Sequence, residues 1–485
     1  MTQNIAIVGS GFLGLTLALR LAERGDYVTL FESANEIGGL ASAWEIGDVT
    51  WDKHYHVTLA SDANTRKIVE EIGLGDEFNW VETKTGFYTD GELISMSDTM
   101  EFLKFPPLGL VSKLRLGATI FFASRVKNWK SLEKVSVESW LTKLSGKKTF
   151  EKIWKPLLKA KLGEAYKDVS AAFIWSTIQR MYAARNSGLK KEMFGYVRGG
   201  YARVLERFGA VLIEKGVEIR LNSKVNKIEK LANGNLQVHT ASTRRRKDKK
   251  GRLYPQKAKY STIKPGVAVA AGFSGGFLSE PALPAYRRTQ GESNTFDKVI
   301  LTCPSNVAAK MSPQLSKIEQ QNLENIRYQG IVCASVLMKC SLSKYYVTNI
   351  TDEAPFTGVI EMSALVDKKE FGRNALIYLP KYVAPDDELF DKSDEDIERI
   401  FLDGLEKMYT HFRRKDVLAF KVSRVKQVFP LPVLNYSSDL PPQATSIDGL
   451  FVVNSTHIVN GTLNVNETVL LAENFIEELG QKHSR

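Results

Sequence analysis

Cysteine is scarce: 485 residues contain three, Cys303, Cys333 and Cys340. They cannot all pair and have no metal-type spacing, which excludes a disulfide scaffold and points to reduced thiols in a reducing compartment. The N-terminus lacks the basic start, apolar middle and small-residue cleavage site of a leader, because the first apolar run already ends in a glycine turn. A cytoplasmic chain is expected. The Gly-, Ala- and Val-rich run 265–277 is too short and too rich in glycine to span a bilayer as a helix, which leaves it to rest on a membrane or cover a pocket. No acidic residue stands at zinc-site spacing from the pair His54 and His56, so no metal centre is expected.

Charge is unevenly spread. The net charge is +11, from 66 Lys and Arg against 55 Asp and Glu. Residues 244–264 alone hold ten Lys or Arg and one Asp, a balance of +9 that leaves +2 for the rest of the chain. Basicity this local argues against a nucleic-acid binder. It fits a solvated loop, or one that docks peripherally on an acidic membrane surface or an acidic partner. The segments 236–240 and 296–301 read as strands on either side, so 242–295 reads as a basic, glycine-rich insertion in a sheet connection.

What is present begins at Ile5-Ala-Ile-Val-Gly9-Ser-Gly11-Phe-Leu-Gly14. An apolar run, 27–31, then ends in Glu32, eighteen residues past Gly14. Strand, glycine turn, helix, strand and terminal acid are the parts of a dinucleotide fold. Gly9 permits the tight turn, Gly11 admits a pyrophosphate to the backbone, and Gly14 lets helix and strand approach. The helix expected at 13–24 points its free N–H groups, those of Phe12 and Leu13 among them, at the phosphates, and Glu32 is placed for ribose hydroxyls.

A second glycine pair follows in Glu32-Ser33-Ala-Asn-Glu-Ile-Gly38-Gly39-Leu40-Ala41. With it the chain resembles the superfamily of FAD-dependent amine oxidases, protoporphyrinogen oxidases and phytoene desaturases. The resemblance implies FAD, with Gly38 and Gly39 beside its phosphate and flavin. It extends to 196–208 and to 216–228, read as a strand pair in which Val225 meets the adenine through its main chain. It also covers the closing segment 454–467, where Asn454, Asn464 and Val465 are the implied contacts. Val453-Asn454-Ser455 stands where most members carry a glycine-acid or glycine-asparagine pair.

The expected fold class is α/β: a discontinuous Rossmann-like FAD-binding domain, 1–64, 196–330 and 441–485, interleaved with an α+β substrate domain, 65–195 and 331–440. Within the latter, 108–126 and 154–182 have helical periodicity, 332–339 and 374–379 read as strands, and 394–411 as a helix capped by Ser393 or Asp394.

Chemistry is expected around Trp51-Asp52-Lys53-His54-Tyr55-His56. His54 and His56 share a strand face and titrate near neutrality, so either serves proton transfer or structural hydrogen bonding. His457 lies in the closing segment. Lys381 and Arg424, with Lys426, are candidate positive groups toward an acidic substrate or reduced flavin. The family resemblance implies hydride transfer from a small or cyclic organic substrate to flavin N5. The alternatives are a flavin-dependent sugar mutase of the UDP-galactopyranose mutase type, to which the histidine-rich segment also points, and a flavin-containing module for membrane or partner docking.

Overall fold

The computed structural model describes residues 2–186, 193–241 and 293–481. The basic stretch 244–264 and the run 265–277 lie outside them.

Five short apolar strands form a parallel sheet in the order Glu218–Arg220, Tyr27–Phe31, Asn4–Val8, Lys298–Leu301, Leu450–Val452. Both faces are covered, as a parallel sheet requires. Alternate side chains separate the two cores. Ile5, Ile7, Val28, Leu30 and Ile300 meet the helices Phe12–Glu23, Gly200–Glu214 and Val465–Gln481. Ala6, Val8, Phe31, Val299 and Leu301 meet an antiparallel sheet of Val225–Lys230, Leu236–Thr240 and Ser293–Phe296.

Two expectations change here. The strand expected at 296–301 breaks at Asp297: Ser293–Phe296 pairs with Leu236–Thr240, while Lys298–Leu301 enters the parallel sheet. Likewise the two strands of 216–228 are present but do not share a sheet. Glu218–Arg220 adds to the parallel sheet and Val225–Lys230 to the antiparallel one, with Asn222 turning the chain between them at φ 54.

The second large layer is a seven-stranded sheet, ordered Val417–Pro430, Tyr328–Met338, Ala375–Val383, Gly358–Glu361, Val347–Ile350, Thr85–Thr89, Glu92–Ser95. Its longest inner strand, Tyr328–Met338, is buried throughout. One face packs on the helix Asp394–Met408, whose N-cap Ser393 accepts from Asp396 N at 3.1 Å. The other face meets the helices between Leu110 and Asn186 in the largest core, which holds Trp51, Tyr378 and Tyr382. The architecture is α/β, with the two sheets joined through the strand Val49–Asp52.

Candidate functional site

The two glycine turns meet. Gly38 N donates to Ser10 O at 2.8 Å, and a Cβ on Gly39 would stand 3.2 Å from Gly11 Cα. Gly9, at φ +110, would place a Cβ 2.5 Å from Thr302 Oγ1, and one on Gly14 would lie 1.9 Å from the Gly9 carbonyl oxygen. Gly11 differs: its φ is −66 and the direction of its missing Cβ is open. The helix that follows has neither a side-chain cap nor an acid in its first turn, so the N–H groups of Phe12, Leu13 and Gly14 face an anion-binding position.

Glu32 anchors the edge of this cradle. Its Oε2 accepts from Ser10 N at 3.0 Å and Ser10 Oγ at 2.6 Å, and its Oε1 from Ala34 N at 2.8 Å and Ser33 Oγ at 3.1 Å. Ser223 N donates to the main-chain Glu32 O at 2.7 Å, which ties the turn before the buried Val225 to the end of the strand Tyr27–Phe31.

The closing segment is tied to the same place. Thr302 N donates to Val8 O at 3.0 Å, and Val453 N to Leu301 O at 2.9 Å. Asn454 is buried with its amide used internally: Oδ1 accepts from Thr456 N and Oγ1, and Nδ2 donates to Cys303 O and Ser305 Oγ. It shapes the turn rather than presenting its side chain outward. Asn464 accepts from Glu467 N at 3.0 Å and so caps the helix Val465–Gln481. Every residue from 461 to 468 is partly exposed. Leu40, which follows the second glycine pair in the chain, is partly exposed, and Ala41 is buried.

His54 links this cradle to the seven-stranded sheet. Its Nδ1 lies 3.2 Å from Leu40 O and its Nε2 3.1 Å from Ser423 Oγ. A carbonyl only accepts, so Nδ1 carries the proton and Nε2 accepts from the serine. Burial, then the neighbouring His56 and Lys53, lower its pKa to about 4. His54 is thus a neutral bridge with both nitrogens engaged. His56 points elsewhere, its Nδ1 3.6 Å from Asp52 Oδ2 and its ring against Tyr201. Asp52 is buried and its pKa is raised by that burial, against which work His56 and the N–H groups of Tyr201 and Ala202. His457 is likewise engaged on both sides, by Pro441 O and Asn454 N.

Next to His54 in the chain, and within the segment where chemistry is expected, Tyr55 opens a cluster whose other members, Tyr382 and Lys161, are not among the expected chemical groups. Its hydroxyl lies 2.9 Å from that of Tyr382, and Lys161 Nζ donates to the Tyr382 hydroxyl at 2.6 Å. The ammonium also sits 3.9 Å from the Tyr382 ring centre and 5.3 Å from that of Phe429. Burial lowers the Lys161 pKa to about 8 and raises that of Tyr55 to about 12. The signal was in the sequence: on the helix Lys155–Leu162, Lys161 falls three residues after the buried Leu158 and one before the buried Leu162, a cation on an apolar face.

Lys381 and Arg424 do not join this cluster. Both pair in register with Val332, whose side chain faces the helix Asp394–Met408 across the sheet from Tyr382. Lys381 donates to Ala354 O and Arg424 pairs with Asp394. Lys426 stands over the ring of Phe390, in the same layer.

The family model of flavin containing amine oxidoreductases matches residues 14–290 and 285–464. The chain belongs to this family. Membership of this flavin containing family implies an FAD site. A zeta-carotene desaturase of Synechocystis is 24% identical over 262 residues, 49% of this chain and 53% of that protein. The chain thus spans about half the length of this curated relative. Two solved structures show the same fold across nearly the whole chain. A putative protoporphyrinogen oxidase from Exiguobacterium has a TM-score of 0.69 at 17% identity, covering 99% of both chains. A reduced UDP-galactopyranose mutase has a TM-score of 0.68 at 13% identity, covering 100% of this chain and 95% of the other.

Proposed function

We propose that the chain is an FAD-dependent oxidoreductase that removes a hydride and a proton from an organic substrate held beside Tyr55, Tyr382 and Lys161. The observation that carries the cofactor half is the contact of the two glycine turns at an uncapped helix start, with the one open Cβ direction at Gly11. Gly9, Gly11, Phe12, Leu13 and Gly14 would hold the diphosphate. Glu32 would take the ribose as the Ser10 and Ser33 hydroxyls rotate away, since these are the exchangeable two of its four donors. Ser33, Gly38, Gly39, Leu40, Ala41, Val225, Asn464 and Val465 line the rest, with Asn454 setting the turn behind them. When bound, FAD supplies the hydride acceptor.

The chain's own residues then handle the proton. Above pH about 8 Lys161 is neutral, and its Nζ takes a proton relayed from Tyr55 through the Tyr382 hydroxyl. Below that pH it is an ammonium and donates instead. Turnover therefore rises with pH through about 8. The mutase alternative drew on the histidine pair, and the engaged nitrogens of His54 leave it a bridging part.

The test separates fold from cofactor. Gly11→Val puts a side chain into open space at an ordinary φ, so the cofactor-free protein keeps its melting temperature while the flavin absorbance of the purified protein disappears. Anaerobic bleaching of wild-type flavin by a candidate substrate supports oxidation. Turnover that appears only after prior chemical reduction of the flavin would sink the hydride reading and favour the mutase.

A further inference from the structure

The helix Leu110–Arg125 turns an apolar face outward. Leu110, Val111, Leu114, Phe121 and Phe122 range in exposure from 51% at Phe122 to 72% at Val111, and Met100 and Leu103 of the neighbouring helix Thr99–Lys104 extend the strip. The opposite face carries the burial: Leu116, Thr119 and Ala123 are packed inside, and Lys113 turns its Nζ back to Leu103 O at 2.6 Å. The exposed side chains, at 110, 111, 114, 115, 118, 121, 122 and 125, follow one side of an α-helix. A soluble monomer rarely leaves such a continuous strip to water.

The exposed charges in the chain around it, residues 98–135, are all Lys or Arg except Asp98. Lys104 stands exposed at one end, and Arg125, Lys127, Lys130 and Lys134 at the other, with the Arg125 guanidinium over the Phe121 ring at 4.9 Å. The acids nearby are drawn inward. Glu101 accepts from Ser95 and Ser97, and the buried Glu133 from Ser437 N. Asp98 alone of the acids between 98 and 135 is exposed, and its side chain caps the helix Thr99–Lys104.

We infer that this face docks on an anionic lipid surface, with the helix lying in the interface plane. An apolar strip flanked at both ends by Lys and Arg matches acyl chains beneath acidic headgroups. A second copy fits worse, because a two-fold contact sets the same basic ends against each other. The helix has 16 residues and would lie along about 24 Å of surface at 1.5 Å per residue. No helix among the described residues is long and apolar enough to cross a membrane, so the contact is peripheral. The inference is independent of the substrate and of the basic stretch 244–264.

The test is co-sedimentation of the full chain with phosphatidylcholine vesicles, with and without phosphatidylserine, at low and physiological salt. Binding is expected with phosphatidylserine and weakens with salt. The combined variant Leu114→Ser, Phe121→Ser, Phe122→Ser loses binding by roughly tenfold or more, as removal of three apolar anchors requires, with the melting temperature kept because the sites are exposed. A second variant, Lys127→Glu with Lys130→Glu, loses binding without touching an apolar residue. Undiminished binding in both variants overturns the inference, as does binding that vanishes only when 244–264 is deleted. A wild-type dimer that the serine variant converts to monomer, with no vesicle binding by either, overturns it in favour of a second copy.

Discussion

Lys161 is placed at a cost. Its pKa falls from an ordinary 10.5 to about 8 because the folded chain withdraws the ammonium from water. Below pH 8 both folded and unfolded chains carry the proton, and the folded one bears the full penalty, about 3 kcal/mol at 1.36 kcal/mol per pH unit. Between pH 8 and 10.5 the unfolded chain binds more protons, so stability rises with pH until the penalty is gone. Lys161→Met, similar in volume and uncharged, is expected to raise the melting temperature at pH 7 and to flatten its dependence between pH 8 and 10.5. Turnover in the same variant falls and loses its rise near pH 8. A variant less stable than wild type at pH 7, measured by thermal unfolding, would show that the ammonium is not penalised. A residue that destabilises its fold and yet stands at the end of a chain of two tyrosine hydroxyls is the pattern expected of a functional group.

At the scale of elements, the cradle depends on how three helices converge. Arg20, on the helix that starts at the first glycine turn, pairs with Glu23 of its own helix, Glu71 of Ala63–Glu71 and Glu473 of Val465–Gln481. Its side chain is 13% exposed, so the cluster is poorly screened by solvent. Arg20→Met removes the cation shared by the three carboxylates, of which Glu23 keeps Lys215 at 3.7 Å and Glu71 keeps Lys67 at 3.8 Å, and is expected to cost about 1–3 kcal/mol, read as a lower urea midpoint with an unchanged slope. A shift within the error of the midpoint would mean that the helices are held by their apolar faces alone. This convergence also marks what the sequence could and could not convey. The early strands and helix were legible because Gly9 takes a positive φ, Gly14 has no room for a Cβ, and the three glycines keep a fixed spacing, and Ser393 announced its helix by an ordinary cap. Which sheet a strand joins was not legible: Glu218–Arg220 and Val225–Lys230 have similar local patterns and part ways at Asn222. The histidines drew notice by their titration range, whereas partners 14 and 369 residues away fix His54 as a neutral bridge. Lys381 and Arg424 were read without knowledge of strand register, which alone sends them to the far face.

Across the whole molecule, the two sheets are built from segments that alternate along the chain, and a few polar contacts fix one against the other. Tyr378 donates to Asp52 O at 2.5 Å, Lys421 to Glu45 O at 2.8 Å, and His54 spans from Leu40 O to Ser423. The last of these is sensitive to acid. An imidazolium at His54 has two donors and cannot accept from Ser423, and burial already holds its pKa at about 4 against an ordinary 6.5. Above pH 6.5 neither state is protonated and the bridge is intact at no electrostatic cost. As pH falls from 6.5 to 4 the unfolded chain takes up the proton first, so stability declines, and the loss attributable to this residue reaches about 3 kcal/mol below pH 4. His54→Asn cannot titrate and keeps an N–H for the Leu40 carbonyl. It is expected to be less stable than wild type at pH 7 by about 1 kcal/mol, the worth of the lost serine contact, and to show a flatter fall in melting temperature from pH 6.5 to 4. The two curves therefore converge on acidification. Parallel curves would show that the joint between the glycine turns and the seven-stranded sheet does not pass through this ring, and that acid opens the molecule elsewhere.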